Sequence, residues 1–241
     1  MVLSGTKRRL LRNSSTAQGG VKMIYEWRTY EAPPGKLPAL HIHLEVAAGL
    51  FKKHQLGVLG FWTEEIGTGA QVNYMWIYED MADREKKLAA FGSDSAWKRQ
   101  VAEETEREGG PVVVRTHNTM LQLTPYSPAP RLSTKVQEWR IYEAMPGRLP
   151  DLHNRFANHT LRLFEKHGMA NVGYWTEVFG TSNRLVYMLG YPSLGDREKS
   201  WAAFQADPDW QRARAESEKN GTLVVKPYSR ILRPTAYSPE G

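Results

Sequence analysis

The sequence contains no cysteine. Disulfide scaffolds, thiolate metal sites, iron–sulfur clusters and cysteine nucleophiles are therefore excluded. The chain also lacks any apolar run close to the roughly 18 residues that cross a bilayer. With 41% hydrophobic and 24% charged residues, it has enough apolar side chains to form a packed core. We expect a folded globular protein without a membrane span.

Acidic residues are absent from the first 22 positions, which hold the five basic residues Lys7, Arg8, Arg9, Arg12 and Lys22. This segment accounts for +5 of the formal net charge of +6, so the rest of the chain is nearly neutral. A nucleic-acid binder concentrates basic residues on one face of a folded domain, and we therefore expect no nucleic-acid partner.

Residues 1–22 are predicted to be a disordered basic leader. An organellar transit peptide has the same composition, bearing arginine and serine and no acidic residue, and it is the alternative. We accordingly expect a cytoplasmic location, with a mitochondrial location if the leader is a transit peptide.

The rest of the chain is an internal duplication. Residues 26–41 and 138–153 agree at twelve of sixteen positions, EWRTYEAPPGKLPALH against EWRIYEAMPGRLPDLH. The match continues at an offset of 113, and both halves end in Tyr-Ser-Pro. Because the period is so long, each repeat is a whole domain. We predict domains at 23–124 and 135–239, joined by a proline- and serine-rich linker at 125–134.

Both halves are predicted to contain the same elements. In the first half, residues 23–31 alternate and are rich in aromatics, which predicts a strand. Apolar residues at helical spacing from Leu37 to Phe51 predict a helix, and strands at 58–66 and 72–79 follow it. Asp80 is a capping residue for a second helix that restarts at Asp94. A valine-rich strand is predicted to close each half, at 111–115 and 222–226.

The order βαββαβ is that of the ferredoxin-like unit, a four-stranded antiparallel sheet with helices on one face. The other face of such a sheet is uncovered. Two units in one chain can bury these faces against each other. We therefore predict an α+β fold in which two tandem ferredoxin-like units form a pseudo-dimeric α+β barrel. Further homo-oligomerisation is left open.

Four features together resemble the NIPSNAP family: the strand Tyr25-Glu26-Trp27-Arg28-Thr29-Tyr30, the Pro-Gly before the first helix, the Gly-aromatic-Trp-Thr-Glu stretch and the Asp-Arg-Glu-Lys helix start. The resemblance runs from Met23 to Pro239, twice over. It implies the dimeric α+β-barrel superfamily, which includes cofactor-free aromatic monooxygenases, haem enzymes and barrels of unknown activity. For NIPSNAP-like proteins it implies no established chemistry, only an association of animal members with mitochondria and with vesicle or mitophagy signalling.

Glutamate, arginine and tyrosine share one face of the first strand in each half, because side chains alternate along a strand. Charges buried on a central strand need partners. They form either a structural ion pair or the lining of a ligand cleft between sheet and helices, and both interpretations stay open. The residues are Glu26, Arg28 and Tyr30 in the first half and Glu138, Arg140 and Tyr142 in the second.

A histidine follows a core leucine of the first helix in both halves, as His41 and His153. A neutral imidazole there could act as a general base in the cleft, with Arg28 or Arg140 stabilising an oxyanion. The alternative is a hydrogen-bonded histidine at the edge of the core. His41 and Glu45 have no third ligand beside them, so no metal site is predicted and no cofactor is expected.

Four further residues are candidates for ligand binding: Trp62, Trp175, Asn183 and Arg184. The two tryptophans are also typical of barrel filling. Asn183-Arg184 belongs to the half that follows the family pattern more closely, since the first half has Ala70-Gln71 instead. If one half keeps a working site, we expect it to be the second.

The leading hypothesis is a small-molecule-binding barrel. If it is an enzyme, we expect cofactor-independent proton abstraction or oxygenation, of the isomerase or monooxygenase type, on a small aromatic or carbonyl compound. The alternative is a non-catalytic protein-interaction module of the mitochondrial or vesicle-associated type. A cavity of roughly 300 Å³ or more lined by the candidate residues would favour the first hypothesis, and a filled interface between sheet and helices the second.

Overall fold

The computed structural model describes residues 23–239. The predicted leader, residues 1–22, lies outside the described residues. The first half contains β1 (Ile24–Glu31), α1 (Leu37–Lys53), β2 (Gly57–Ile66), β3 (Gln71–Tyr78), α2 (Met81–Ser93), α3 (Ser95–Glu108) and β4 (Arg115–Leu123). The second half contains β5 (Val136–Ala144), α4 (Leu149–Arg155), a π-helical segment (Phe156–Thr160), α5 (Leu161–Lys166), β6 (Ala170–Phe179), β7 (Arg184–Tyr191), α6 (Leu194–Ala206), α7 (Pro208–Glu218) and β8 (Val224–Pro234).

The eight strands form a closed antiparallel barrel in the order β1-β3-β2-β8-β5-β7-β6-β4. Each half contributes a four-stranded sheet with β1 or β5 in its interior. The two sheets join edge to edge, through β2 with β8 and through β4 with β6. Closure therefore pairs the sheet edges that a single unit would leave open. The predicted α+β fold of two ferredoxin-like units in a pseudo-dimeric barrel is confirmed.

Both hairpin turns of the barrel lie at the same end. Neighbouring strands run antiparallel, and β1 and β5 are four strands apart around the barrel, so they point in the same direction. The β2–β3 turn (67–70) and the β6–β7 turn (180–183) therefore meet at one end, which we call the barrel mouth.

Among the residues that the structure describes, the buried apolar side chains form three clusters. One lies between the first sheet and its helices, and another lies between the second sheet and its helices. The third fills the barrel interior and contains the buried tryptophans Trp27, Trp62, Trp139 and Trp175. Because successive residues of a strand face opposite sides, each strand supplies both the interior and a sheet–helix layer.

The capping residues predicted from the sequence are confirmed. Asp80 and Ser193 each accept a hydrogen bond from the backbone N–H three residues on, at the starts of α2 and α6. Asp94 caps α3 and Asp207 caps α7. Each cap satisfies an N–H group that a helix start leaves without a partner. No helix within residues 23–239 is long and apolar enough to cross a bilayer.

A one-residue insertion explains the π-helical segment of the second half. His41 and His153 are 112 positions apart, whereas Leu50 and Leu163 are 113 positions apart. The first helix of the second half therefore holds one extra residue. A single wide turn absorbs such an insertion without changing the face of either flanking helix, and here the turn spans Phe156–Thr160.

The valine-rich closing strands are placed wrongly by the sequence pattern. The strand predicted at 111–115 is Arg115–Leu123, and the strand predicted at 222–226 is Val224–Pro234. Val112 is buried but precedes the strand. Pairing with β1 and with the other half decides where β4 lies, so tertiary contacts override local valine content.

Two glycines let a tryptophan ring fold back over the backbone of β2 and β6. A Cβ atom on Gly60 would lie 2.7 Å from Cζ2 of Trp62, and one on Gly173 would lie 2.5 Å from Cη2 of Trp175. These distances are closer than carbon atoms can approach. The repeated Gly-aromatic-Trp spacing is therefore a packing requirement of the barrel interior.

We expect Gly173→Ala to lower the free energy of unfolding by about 1–3 kcal/mol, because the new methyl group displaces a fully buried indole. Urea denaturation measures the change. Gly92→Ala is the matched control, since Gly92 lies within α2 with nothing within 4 Å of the added Cβ. That substitution should leave stability unchanged or raise it. An unchanged midpoint for Gly173→Ala would contradict the packing explanation.

Candidate functional site

The glutamate, arginine and tyrosine of β1 and β5 face the helices, as the strand alternation predicts. Glu138 is fully buried. Arg197 of α6 donates to both of its carboxylate oxygens, at 2.8 and 2.7 Å, and Arg140 also donates to it. Tyr191 and Trp201 donate at 3.1 and 3.0 Å. The carboxylate of Glu138 is therefore enclosed by donors from four side chains.

Burial alone would raise the pKa of Glu138, but the hydrogen bonds and positive charges of Arg197 and Arg140 outweigh it and hold that pKa below its usual range. The guanidinium of Arg140 lies 4.4 Å from the Trp201 ring centroid and donates to the Tyr142 hydroxyl at 3.2 Å. A carboxylate held ionised by this many donors is a weak base. The contacts favour the structural ion pair over the ligand cleft in the second half.

The first half has the same arrangement with fewer partners. Glu26 accepts from Arg84 of α2 at 2.7 and 3.0 Å and from Arg28 at 3.3 Å. Arg28 donates to Tyr30 at 3.2 Å and lies over the Trp76 ring. Glu26, Arg28 and Tyr30 thus fill the interface between sheet and helices, as their counterparts do.

His41 and His153 each contact the segment that follows the last strand of the other half. Nδ1 of His41 lies 2.9 Å from the hydroxyl of Tyr237, which follows the last strand of the second half. Nδ1 of His153 lies 2.7 Å from the hydroxyl of Tyr126, which follows the last strand of the first half. Burial lowers the pKa of both histidines, so both are neutral near pH 7.

The serine of each repeated Tyr-Ser-Pro tripeptide completes this contact. Ser238 accepts a hydrogen bond from the backbone N–H of Phe61 in the first half, and Ser127 accepts one from Tyr174 in the second half, at 3.0 and 2.9 Å. Each tripeptide is therefore bound by the half to which it does not belong. The repeated tripeptide thus makes the same contact in both directions, and we call this pair of contacts the clasp between the halves.

The sequence predicts that the histidine lies beside the Glu–Arg–Tyr face of the first strand. The contacts of His41 place it elsewhere. Nε2 of His41 lies 3.3 Å from Oγ1 of Thr63 on β2, and β3 separates β2 from β1. The histidine beside Tyr30 is His43, which binds Glu104. Helical spacing alone does not show which strand the position next to a core leucine faces, so the sequence pattern does not reveal this contact.

The four ligand-binding candidates fall in different places. Trp62 and Trp175 are fully buried in the barrel interior, where they pack against other aromatic rings. Asn183 adopts a left-handed backbone conformation, with φ of 65°, in the turn at the barrel mouth. Its side chain donates to the carbonyl oxygen of Ala144. Arg184 alone lines a cavity at the mouth.

The cavity at the barrel mouth has a volume of about 370 Å³. Its floor is the pair of equivalent tryptophans Trp27 and Trp139, whose rings stack with 3.9 Å between centroids and an interplanar angle of 11°. Both halves supply its walls, which are formed by Thr29, Glu31, Thr68, Gln71, His117, Thr119, Ile141, Glu177, Arg184, Val186 and Arg230. An apolar floor with convergent polar walls is typical of a small-molecule site.

Two wall residues carry buried polar atoms that have no partner within residues 23–239. Gln71 is 5% exposed and donates to Glu31 at 3.2 Å, which leaves its Oε1 unpaired. Arg184 donates to Glu143 at 3.1 Å, which leaves its buried Nε–H unpaired. Buried polar groups without partners cost free energy in the folded protein. Neither atom is reachable from the cavity, because each has almost no accessible surface.

A buried carboxyl group also lines the cavity. Burial raises the pKa of Glu177, while its contacts to the backbone N–H of Thr181 and to Arg184 act in the opposite direction. Its counterpart Glu64 accepts from Thr68 and from Arg230, the latter at 3.3 Å. Both glutamates thus stabilise the hairpin turns, and Glu177 is in addition a stronger base than an exposed glutamate.

Most of the mouth residues escaped the sequence analysis. Thr29 and Glu31 lie on the Trp27 face of β1, opposite the Glu–Arg–Tyr face on which the predicted site residues lie. A usable signal lay in the duplication itself, because Gln71 and Arg184 are equivalent positions that differ. A comparison of equivalent barrel-facing residues in the two halves would therefore have indicated the mouth as a candidate site.

A rim of exposed apolar side chains surrounds the mouth. Ile66 and Phe179 end the equivalent strands β2 and β6, Val114 directly precedes β4, and Val225 is the second residue of β8. These four side chains are each more than half exposed. Within residues 23–239, histidines and carboxylates form no cluster of three that could hold a metal ion. The absence of a cofactor stays a prediction.

A closed barrel of two ferredoxin-like units defines the class of this molecule: it is an α+β barrel in which one polypeptide supplies both units. The chain belongs to the NIPSNAP family, whose model matches residues 25–128 and 137–239. The tandem arrangement predicted from the duplication is thereby confirmed.

Curated relatives match over nearly the whole chain. A NipSnap homologue from Dictyostelium discoideum is 23% identical over 87% of this chain and 89% of its own length. The NipSnap protein of Drosophila melanogaster is 21% identical over 90% of this chain and 79% of its own length.

Solved structures share the fold. A proposed monooxygenase from Lactobacillus acidophilus superposes with a TM-score of 0.59 and 8% identity, covering 88% of this chain and 94% of its own. An anthrone oxidase-like protein superposes with a TM-score of 0.57 and 10% identity, covering 90% and 93%. At such identities the likeness concerns the fold alone.

Proposed function

We propose that the chain is a small-molecule-binding barrel whose site is the barrel mouth. The observation that carries the proposal is the cavity of about 370 Å³ over the Trp27–Trp139 floor, whose walls hold polar side chains from both halves. A bound molecule would cover the apolar floor and contact the polar side chains of the walls. At the Glu–Arg–Tyr face of each sheet, the space between sheet and helices is filled by side chains that contact one another.

The reaction that the mouth supports best is cofactor-independent proton abstraction. Glu177 lies in the cavity wall, and burial raises its pKa, which makes it a stronger base than an exposed glutamate. Arg184 lies 3.6 Å from Glu177 and could stabilise the negative charge that the loss of a proton leaves on a substrate oxygen. This assigns to Glu177 and Arg184 the roles that the sequence analysis gave to His153 and Arg140.

The apolar rim favours the alternative of a protein-interaction module. A partner seated on Ile66, Phe179, Val114 and Val225 would cover the cavity as well. Binding of a small molecule to the isolated chain distinguishes the two functions, because an interaction module has no need of an open, polar-walled cavity.

A substitution that fills the cavity tests the proposal. We expect Thr119→Phe to weaken binding of small aromatic compounds at least tenfold, because the larger ring occupies space above Trp27, the residue paired with Thr119 across the β1–β4 ladder. Protein-observed NMR with a library of small aromatic compounds measures binding.

Ala102→Phe on the exposed side of α3 is the control and should leave binding unchanged. Two outcomes would overturn the proposal: no compound shifts the indole signals of Trp27 and Trp139, or Thr119→Phe binds the same compounds as tightly as the parent chain.

A further inference from the structure

A second cavity lies at the end of the barrel opposite the mouth, between the first sheet and α1. Its volume is about 630 Å³, compared with about 370 Å³ at the mouth. The end of α1 and the start of β2 form two of its walls, and residues 236–239, which follow β8, form the third. Both halves therefore contribute to this cavity, which we call the tail cavity.

The inner walls of the tail cavity are apolar. Phe51 and Phe61 are buried and belong to the cluster between the first sheet and its helices. The hydroxyl group of Tyr237 is paired with Nδ1 of His41 at 2.9 Å. The hydroxyl group of Ser238 accepts from the backbone N–H of Phe61 at 3.0 Å. Because the clasp between the halves already uses these hydroxyl groups, the cavity suits an apolar molecule better than water.

The equivalent place in the second half is bridged by hydrogen bonds between β6 and α5. The side-chain amide of Asn171 donates to the carbonyl oxygen of Leu161 at 3.1 Å and to Glu165 at 3.0 Å. Its oxygen accepts from the hydroxyl group of Tyr174. A polar network thus connects strand and helix at this place.

The first half has residues that cannot form this bridge. The positions equivalent to Leu161, Glu165, Asn171 and Tyr174 are Ala48, Lys52, Val58 and Phe61. Val58 and Phe61 have no polar side-chain atom, and Ala48 is much smaller than leucine. The tail cavity therefore opens where the second half has a larger side chain and a bridge. Its wall atoms lack the contacts that close packing normally supplies, which favours a molecule that fills the space.

Lys52 is the one charged side chain among the described residues that line the tail cavity. It is exposed at the end of α1, and it forms no ion pair with any carboxylate in residues 23–239. The next residue, Lys53, is in contrast paired with Asp94 at 2.6 Å. The nearest carboxylate before Lys52 on α1, that of Glu45, lies two turns away. An anionic group at the rim would thus gain a partner in Lys52 without leaving water completely.

We infer that the tail cavity binds an amphipathic anion, with an alkyl chain against Phe51 and Phe61 and a carboxylate at the rim beside Lys52. The alkyl chain needs no hydrogen-bond partner, and the apolar walls offer none. Straight-chain monocarboxylates of medium length have this chemistry. The site is separate from the barrel mouth and does not depend on the function proposed for the mouth.

Matched probes test the ligand class by NMR titration of the full chain. They are octanoate, 1-octanol, which is uncharged, octyltrimethylammonium, which has the opposite charge, and acetate, which lacks the chain. The methyl signals of Ala48 and Val58 report on the tail cavity, and the indole signals of Trp27 and Trp139 report on the mouth. We expect octanoate to shift the methyl signals and to bind at least threefold more tightly than octyltrimethylammonium, which Lys52 repels. Acetate should shift none of them, because it has no chain to bury.

Two variants test the walls and the rim separately. Ala48→Leu introduces the side chain that the second half has at this position, and it should weaken octanoate binding about tenfold by filling the cavity. Its control is Ala102→Leu on the exposed side of α3. Lys52→Gln should weaken octanoate binding about threefold and leave 1-octanol binding unchanged, because only octanoate uses the ammonium group. Its control is Lys98→Gln, which removes an exposed lysine of α3. Both controls should leave all affinities unchanged.

The inference is overturned if octanoate leaves the Ala48 and Val58 signals unshifted, or if Ala48→Leu binds octanoate as tightly as the parent chain. It is also overturned if octyltrimethylammonium binds as tightly as octanoate, or if Lys52→Gln changes neither affinity, because the ligand is then not an anion. Should Ala48→Leu fail to fold, Lys52→Gln still decides, since its position is exposed. None of these results bears on the barrel mouth, which the aromatic compounds and Thr119→Phe test.

Discussion

Replacing Glu138 with alanine is expected to lower the free energy of unfolding by about 3–5 kcal/mol. The substitution removes the carboxylate and leaves the guanidinium groups of Arg140 and Arg197 without their partner, and loss of one member of a buried ion pair has a cost of this size. Tyr191 and Trp201 lose their hydrogen bonds as well. Equilibrium unfolding in urea measures the loss.

The first half supplies the matched comparison for this prediction. Glu26 accepts from Arg28 and Arg84, but no tyrosine or tryptophan hydrogen bond corresponds to those of Tyr191 and Trp201. Glu26→Ala should therefore cost less than Glu138→Ala, by roughly 1–3 kcal/mol. If Glu138→Ala does not fold, Glu138→Gln, which keeps an acceptor, provides the same comparison with a smaller loss. Equal losses at the two positions would show that the extra donors contribute nothing.

Trp139→Ala and Trp27→Ala are each expected to destabilise the barrel by about 3–5 kcal/mol, because each removes a buried indole from the floor of the mouth. Their rings stack in contact. The double variant should therefore lose less than the sum of the single losses, by about 0.5–1.5 kcal/mol for the lost ring–ring interaction. Urea unfolding of all four chains gives the coupling.

Trp139→Phe is the control for this cycle, since it keeps an aromatic ring in the same position and should cost much less than alanine. Simple additivity of Trp27→Ala and Trp139→Ala would mean that the two halves do not support each other through this contact. The barrel would then be stabilised mainly at its joined sheet edges.

The contacts between the halves fit one of the two roles that the sequence left open for the histidines, that of a hydrogen-bonded residue at the edge of the core. From sequence, His41 and His153 stand beside a core leucine, and that position is compatible with a catalytic base or with a hydrogen-bonded edge residue. The structure assigns each a hydrogen bond to a tyrosine from the other half. Such a partner lies 196 positions away in the case of His41 and Tyr237, so no periodicity in the helix could reveal it.

The placement of the glutamate–arginine pairs, in contrast, is predictable from the sequence. Their presence on one face of β1 and β5 followed directly from alternation along a strand, and the need for partners followed from the cost of burying charge. What those partners are depended on the approach of α2 and α6, which bring Arg84 and Arg197 to the carboxylates. The structural ion pair and the ligand cleft differ only in whether side chains fill the space between sheet and helices. That difference depends on side-chain packing, which the sequence does not show.

The sequence by itself determined the duplication, the order of helices and strands, the caps of the helices and the barrel class, because periodicity, capping residues and repeated blocks are local signals that survive without a partner. Only the tertiary structure decided where the closing strands begin, which half each Tyr-Ser-Pro tripeptide contacts and where the cavity opens. These features arise where two segments distant in sequence meet. The free energy that stabilises them comes from contacts that neither segment makes alone.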